Sequence, residues 1–154
     1  MAKSIEEKRG AHQMGIEGQE WAYKKLGSLG FSVKRMPYNC PFDILAGDKR
    51  VEVKIARPNN TWTWFTNLHH GGKLSESEVD VYLIILTGIP GCGSMPLYLL
   101  FPAPVKRYTI KFTFTSLLRV YHRYVDNWGI LGTPQRETPT YLAWKNKQAE
   151  GEDN

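Results

Sequence analysis

One short stretch of the chain places three chemically capable side chains close together. It reads Pro41-Phe42-Asp43-Ile44-Leu45-Ala46-Gly47-Asp48-Lys49-Arg50-Val51-Glu52-Val53-Lys54-Ile55. With Gly47-Asp48 as a two-residue turn, glycine holds the first central position, as a II′ hairpin turn prefers. Antiparallel partners then carry numbers that add to 95, so Ala46 faces Lys49, Ile44 faces Val51 and Asp43 faces Glu52. Alternation along each strand puts Phe42, Ile44, Ala46, Val51, Val53 and Ile55 on one dry face. Asp43, Arg50, Glu52 and Lys54 fall on the other. Directly opposed Cβ atoms lie about 4.5–5.5 Å apart, and like charges there repel. Two such carboxylates need compensation; Lys54 supplies one positive charge and a divalent metal is the natural second. Asp and Glu oxygens, with water and a phosphate, are what Mg²⁺ accepts. Such an ion polarises a scissile phosphate, and Lys54 would position a water or stabilise developing charge. The competing reading is a solvent-facing hairpin edge with an ordinary alternation of charges.

The elements around this hairpin must hold it. Residues 14–29 read as a helix that Gly30 stops. At about 100° per residue, Gly15, Gly18, Ala22, Leu26 and Leu29 share a stripe that Met14 and Trp21 flank. The two glycines would let the helix lie close to a sheet. Residues 31–36 suit a strand that Pro37 ends. A β-rich run, 61–68, follows the break at Arg57-Pro58-Asn59-Asn60, and His69-His70-Gly71-Gly72-Lys73 reads as a loop. Residues 79–87 have the length of a buried strand, 97–101 form its neighbour, and 106–112 an edge strand. A last helix is expected over 116–125, ahead of a polar tail whose end, 150–154, is expected to be disordered.

The chain has 154 residues, 42% hydrophobic and 23% charged, which bounds it to one soluble-type domain. Residues 1–13 read as a mobile segment, 14–132 as the domain and 133–154 as the tail. The longest apolar run is far too short for a bilayer span, and residues 1–7 lack the pattern of a secretory signal. Cys40 and Cys92 make no disulfide framework, so the cytosol is the expected compartment. The formal charge is +5; three of the fifteen acids are Glu150, Glu152 and Asp153, which leaves residues 1–149 at +8. A basic body fits either a polyanionic partner or plain solubility.

Other candidates follow from that charge. Trp62 and Trp64 alternate to one face with Phe65 on the other, placed either to stack on unpaired bases or to pack beneath a helix. Asn67, His69 and His70 are candidate phosphate contacts. Lys34, Arg35, Arg57, Lys73, Lys106, Arg107 and Lys111 would neutralise phosphates, or simply be solvated. The glycines of 88–93 lack the Gly-Lys-Ser/Thr ending of a phosphate loop.

Helix, strand, Asp-bearing strand and Glu-x-Lys strand together resemble the PD-(D/E)XK nuclease superfamily. Residues 15–54 look most like archaeal-type Holliday junction resolvases, through Gly30-Phe31, Phe42-Asp43-Ile44-Leu45-Ala46-Gly47 and Val51-Glu52-Val53-Lys54. The resemblance implies an α/β, restriction-endonuclease-like fold: a central mixed β-sheet flanked by helices. It also implies Asp43 and Glu52 as metal ligands, Lys54 as the catalytic lysine and Mg²⁺ or Mn²⁺ as cofactor. A homodimer making paired nicks in four-way DNA junctions would complete it, joined through strands 79–87 and 97–101 or through Leu117, Leu118 and Tyr121. Two residues depart from the pattern. Phe42, not proline, precedes Asp43, with Pro41 one earlier. The family's first-helix Glu, counted back from Gly30-Phe31, falls on Gln19 between Glu17 and Glu20, and Glu20 is taken as the acid. Its other reading is an i,i+4 partner of Lys24. The alternatives are a restriction- or repair-type nuclease on duplex or flapped DNA, and a non-catalytic nucleic-acid-binding protein on the same fold.

Overall fold

The computed structural model describes residues 5–37, 39–68, 78–103, 105 and 109–152. The glycine-marked helix, α1 (Ile5–Ser28), begins earlier than its apolar stripe suggested. It ends as expected at Gly30, whose N–H donates to the Gly27 carbonyl while the Phe31 N–H donates to the Leu26 carbonyl. This pair of bonds is a Schellman cap, and Gly30 has the left-handed φ of 95° that it needs. Ala22 and Leu26 are fully buried on the stripe, and a Cβ on Gly18 would sit only 3.1 Å from Ile55 Cβ. Gly18 thus packs directly on Ile55 of the sheet. Gly15 makes no such approach.

That sheet has five strands in the order β1-β2-β3-β5-β6, formed by β1 (Val33–Arg35), β2 (Ile44–Ala46), β3 (Lys49–Ala56), β5 (Val81–Leu86) and β6 (Leu97–Pro102). β4 (Trp64–Asn67) pairs instead with β7 (Thr109–Phe112) in a separate antiparallel ribbon. The hairpin register is the expected one, with Ile44 opposite Val51 and Ala46 opposite Lys49. Gly47 has φ 61°, as the first position of a II′ turn requires. β3 runs parallel to β5, and β5 antiparallel to β6, so the sheet is mixed. Arg50 clamps the start of the β3–β5 pair: its Nε and Nη2 donate to Asp80 at 3.1 and 3.0 Å, and its backbone N–H donates to the same carboxylate at 2.8 Å.

Both faces of the sheet are covered. Ile44, Ala46, Val51, Val53, Val81, Leu83 and Ile85 pack under α1 with Trp128 and Leu131 of a 3₁₀ turn. On the opposite face Tyr82, Ile84 and Leu86 pack beneath Trp64, Ile110 and Phe112 of the ribbon. β5 is buried at every position because it lies in the middle of this sandwich. The outer edge of β6 is occupied too: Leu99 bridges Val125, and the Asp126 N–H donates to the Tyr98 carbonyl at 2.9 Å.

Besides α1, which is helical from Ile5 through residues expected to be mobile, two helices depart from the sequence-based expectation. The last predicted helix is shorter, α2 (Phe114–Arg119), capped by Thr113 and followed by a 3₁₀ turn at His122–Tyr124. Leu117 and Tyr121 turn inward against the second core, leaving Leu118 exposed. The expected polar tail carries α3 (Pro139–Glu152), helical well into the acidic stretch expected to be disordered. Trp144 of α3 packs against the core under α1, and the preceding strap is tied down by Arg136 N–H to Gly30 O at 2.8 Å and Ser32 N–H to Gln135 Oε1 at 2.7 Å.

Gly30 is the joint of this strap, since a Cβ there would lie 1.8 Å from the Arg136 carbonyl oxygen. Gly30→Ala is expected to destabilise the protein by about 2–4 kcal/mol in urea unfolding, from backbone strain and overpacking together. A loss below about 0.5 kcal/mol would contradict this docking.

Candidate active site

β2 and β3 bring Asp43 and Glu52 together where their regular pairing stops. The Asp43 N–H donates to the Val51 carbonyl at 3.0 Å, one residue out of the hairpin register. This slip frees the Asp43 side chain to stand in for backbone: its Oδ2 accepts the Val53 N–H at 2.8 Å. The same slip turns Phe42 away from its expected face, and it packs against the second core rather than with Ile44 and Ala46.

Glu52 is 4% exposed. A solvent-facing hairpin edge is therefore excluded, and the carboxyl must be satisfied inside the protein. Burial pushes its pKa up to about 9 from an ordinary 4.5, and a hydrogen bond to Asp43 and the Asp43 charge push the same way. The Lys54 charge opposes the rise. Asp43 and Lys54 are thus the two charged groups that act on the Glu52 carboxyl in opposite directions.

The fourth member is Gln19. Its Nε2 donates to Asp43 Oδ1 at 3.1 Å, so both oxygens of Asp43 are held by neutral donors. Glu20 is not brought to the carboxylates. It pairs with Arg35 and with Lys24 at 3.7 Å, and the Arg35 hydrogen bond chiefly holds its pKa below the ordinary range. The helix angle accounts for this: Gln19 lies three residues before Ala22 and seven before Leu26, on the buried stripe, whereas Glu20 is turned about 100° away. Glu17 pairs with Arg57 at 3.5 Å instead.

The expected DNA contacts divide. Trp64 is corrected to a core residue: it is fully buried, and its Nε1 donates to the Thr87 carbonyl at 2.8 Å. Trp62 is exposed, because a turn at Asn59 ends before β4 begins and breaks the expected alternation. Lys34 and Lys111 are exposed, and Arg35 lies over the Tyr23 ring while pairing with Glu20. Asn67 is exposed and accepts from Thr109 Oγ1 at 2.7 Å. His69, His70, Lys73, Lys106 and Arg107 lie outside the described residues.

No protein-family model and no curated protein matches the chain. Among solved structures, a bacterial homing endonuclease, I-Ssp6803I, superposes with a TM-score of 0.63 at 15% identity, over 82% of this chain and 98% of that one. The two share a fold.

A carboxylate pair that keeps a proton it would lose in water is suited to exchange it for a cation. Mg²⁺ takes one or two carboxylates and completes its shell with water and phosphate oxygens, so this donor set fits. Among the described residues no group of three or more Asp, Glu, His or Cys side chains stands together, so the protein would offer the ion these two carboxylates.

Between about pH 4.5 and 9 the folded protein retains a proton that the unfolded chain has released. Without metal, stability should therefore fall as pH rises through this window, by up to about 1.4 kcal/mol per unit. Glu52→Gln is expected to flatten that slope in urea unfolding with chelator present. Equal slopes in the two proteins would contradict the buried proton.

Proposed function

We propose that the chain is a metal-dependent DNA endonuclease whose reaction centre is Asp43, Glu52 and Lys54. The observation that carries this reading is the buried Glu52 carboxyl hydrogen-bonded to Asp43, with a lysine two residues on along the same strand. The PD-(D/E)XK likeness of residues 15–54 supports it. So does the fold shared with a protein described as a homing endonuclease.

Asp43 and Glu52 would hold Mg²⁺ or Mn²⁺, which supplies Lewis-acid polarisation of the scissile phosphate when bound. The chain's own groups do the rest. Gln19 and the Val53 N–H fix the Asp43 carboxylate in one rotamer, leaving no freedom for it to swing away. Lys54 orients the attacking water and stabilises negative charge as the water oxygen bonds to phosphorus and the phosphorus–oxygen ester bond breaks. The hydrophobic packing on both faces of β3 buries the Glu52 carboxyl and leaves Asp43 half-buried beside it.

Resolution of four-way junctions by paired nicks is the finer reading, carried by residues 15–54 and requiring a homodimer with two centres. Cutting of duplex DNA is the second reading, and the homing-endonuclease neighbour favours it.

The test is a nicking assay with Mg²⁺ on a labelled four-way junction and on a linear duplex of the same sequence. Glu52→Gln and Lys54→Ala should each lower cutting by about 10²-fold or more. Gln19→Ala should cost about 10–100-fold through misplacement of Asp43. Paired cuts confined to the junction would support resolution, and equal cutting of both DNAs would establish the duplex reading. Binding without any metal-dependent cut, or cutting that survives both variants, would overturn the assignment.

A further inference from the structure

The part of the fold that covers the Glu52-bearing face is free of carboxylates. Between Glu52 and Glu76, and again between Asp80 and Asp126, the sequence contains no Asp or Glu. β4 lies in the first span; β7, α2 and the 3₁₀ turn at His122–Tyr124 lie in the second. Arg57, Lys111, Arg119 and Arg123 are exposed in these spans. The acids of the chain are instead carried by α1, the β2–β3 hairpin, the start of β5 and the C-terminal segment. Among the described residues these elements carry cations and no carboxylate of their own, Arg57 pairing with Glu17 of α1, and such a surface suits a polyanion.

Within that surface, Trp62 is held in an unusual way. It is 49% exposed, and its φ of 54° lies in the left-handed region, which a bulky side chain rarely occupies. Asn59 enforces this conformation. Its Oδ1 accepts the Thr61 N–H at 2.9 Å, the Thr61 hydroxyl at 2.8 Å and the Thr63 N–H at 3.0 Å. The backbone closes the turn with Asn59 N–H to Thr63 O at 2.9 Å and Trp62 N–H to Asn59 O at 3.1 Å. Beneath the ring lies Phe114, itself exposed, with centroids 6.3 Å apart. Trp64, two residues on, meets the demand of the core. Trp62 does not, yet its backbone is strained and locked to keep it outside. Strain maintained by a surrounding network is characteristic of sites that bind.

We propose that Trp62, presented by the Asn59 turn on the carboxylate-free surface, stacks on an unpaired nucleobase of the DNA substrate. The inference rests on the endonuclease reading and names the substrate feature that reading leaves open. Aromatic stacking is indifferent to base identity, since every base offers a π face, and the neighbouring cations follow the backbone. The exposed Trp62 edge would therefore recognise DNA whose bases are accessible, as in single strands and branch points, over a fully paired duplex.

Binding in the Glu52→Gln background, where cutting is suppressed, tests this separately from catalysis. The probes are a fluorescent single-stranded oligonucleotide, a four-way junction and a paired duplex. Trp62→Ala should weaken binding of the first two by about 5- to 150-fold and the duplex by several-fold less. Trp62→Phe should recover most of the loss. Lys111→Ala should weaken all three alike and lower the salt slope by about one. Trp62→Gly separates binding from folding: relief of the left-handed strain should hold or raise the melting temperature while binding still falls. Unchanged affinity of Trp62→Ala for all three DNAs would overturn the proposal and leave the endonuclease reading intact. A dimer that Trp62→Ala turns into a monomer with DNA affinity unaltered would assign the ring to a second copy of the chain and also overturn it. Failure of the parent protein to bind any of the DNAs would overturn both readings.

Discussion

The contact between Asp43 and Glu52 is the constraint around which the rest of the molecule is arranged. A carboxyl at 4% exposure beside another carboxylate is unfavourable as an isolated pair, and its proton is the sign of that cost. The surroundings make it tolerable by satisfying Asp43 from two sides, through Gln19 and the Val53 N–H. Gln19 reaches it because Gly18 lets α1 settle against Ile55. The Val53 N–H is available because the hairpin slips by one residue at Asp43. A side chain at position 18 or a regular ladder at position 43 would each take away one of these donors.

Sandwiching the sheet gives the pair its environment. The ribbon of β4 and β7 covers the face that a simple hairpin would leave wet, and Phe101 stacks on Tyr124 at 4.1 Å to fasten the following turn beneath it. Low dielectric on both sides raises the worth of every charge inside. It also separates the carboxylates from the ion pairs of the surface. Arg50 is spent on Asp80, Arg35 and Lys24 on Glu20, and Arg57 on Glu17. The Lys54 charge is the one that bears on Glu52.

Much of this was legible before any coordinates. The Gly47-Asp48 turn and period-two alternation are enough for the register of β2 on β3 as far as Ile44 opposite Val51; the slip at Asp43, which brings its carboxylate onto the Val53 N–H, is not written in the alternation. Gly30 ended α1 as its conformational freedom suggests. The count back from Gly30-Phe31 falls on Gln19, and the preference for Glu20 follows only from the expectation of an acid; the buried stripe of Gly18, Ala22 and Leu26 favours position 19. Trp62 and Trp64 were given one face because alternation was carried back through a turn, and the asparagine that breaks it acts through its side chain, which period counting does not register. The helix over 139–152 was hidden by weak amphipathicity, since its docking rests on Trp144 and on the strap to Gly30 rather than on a continuous apolar stripe. Burial of the second sheet face depended on β4 pairing with β7, a contact between segments distant in sequence.

The proposed exchange of the Glu52 proton for a divalent cation is open to calorimetric titration of Mg²⁺ into the metal-free protein near neutral pH, in buffers of different ionisation enthalpy. Binding should release close to one proton per ion, and Glu52→Gln should remove both the binding and the release. Binding of undiminished affinity to Glu52→Gln, or no binding to the parent protein, would contradict it.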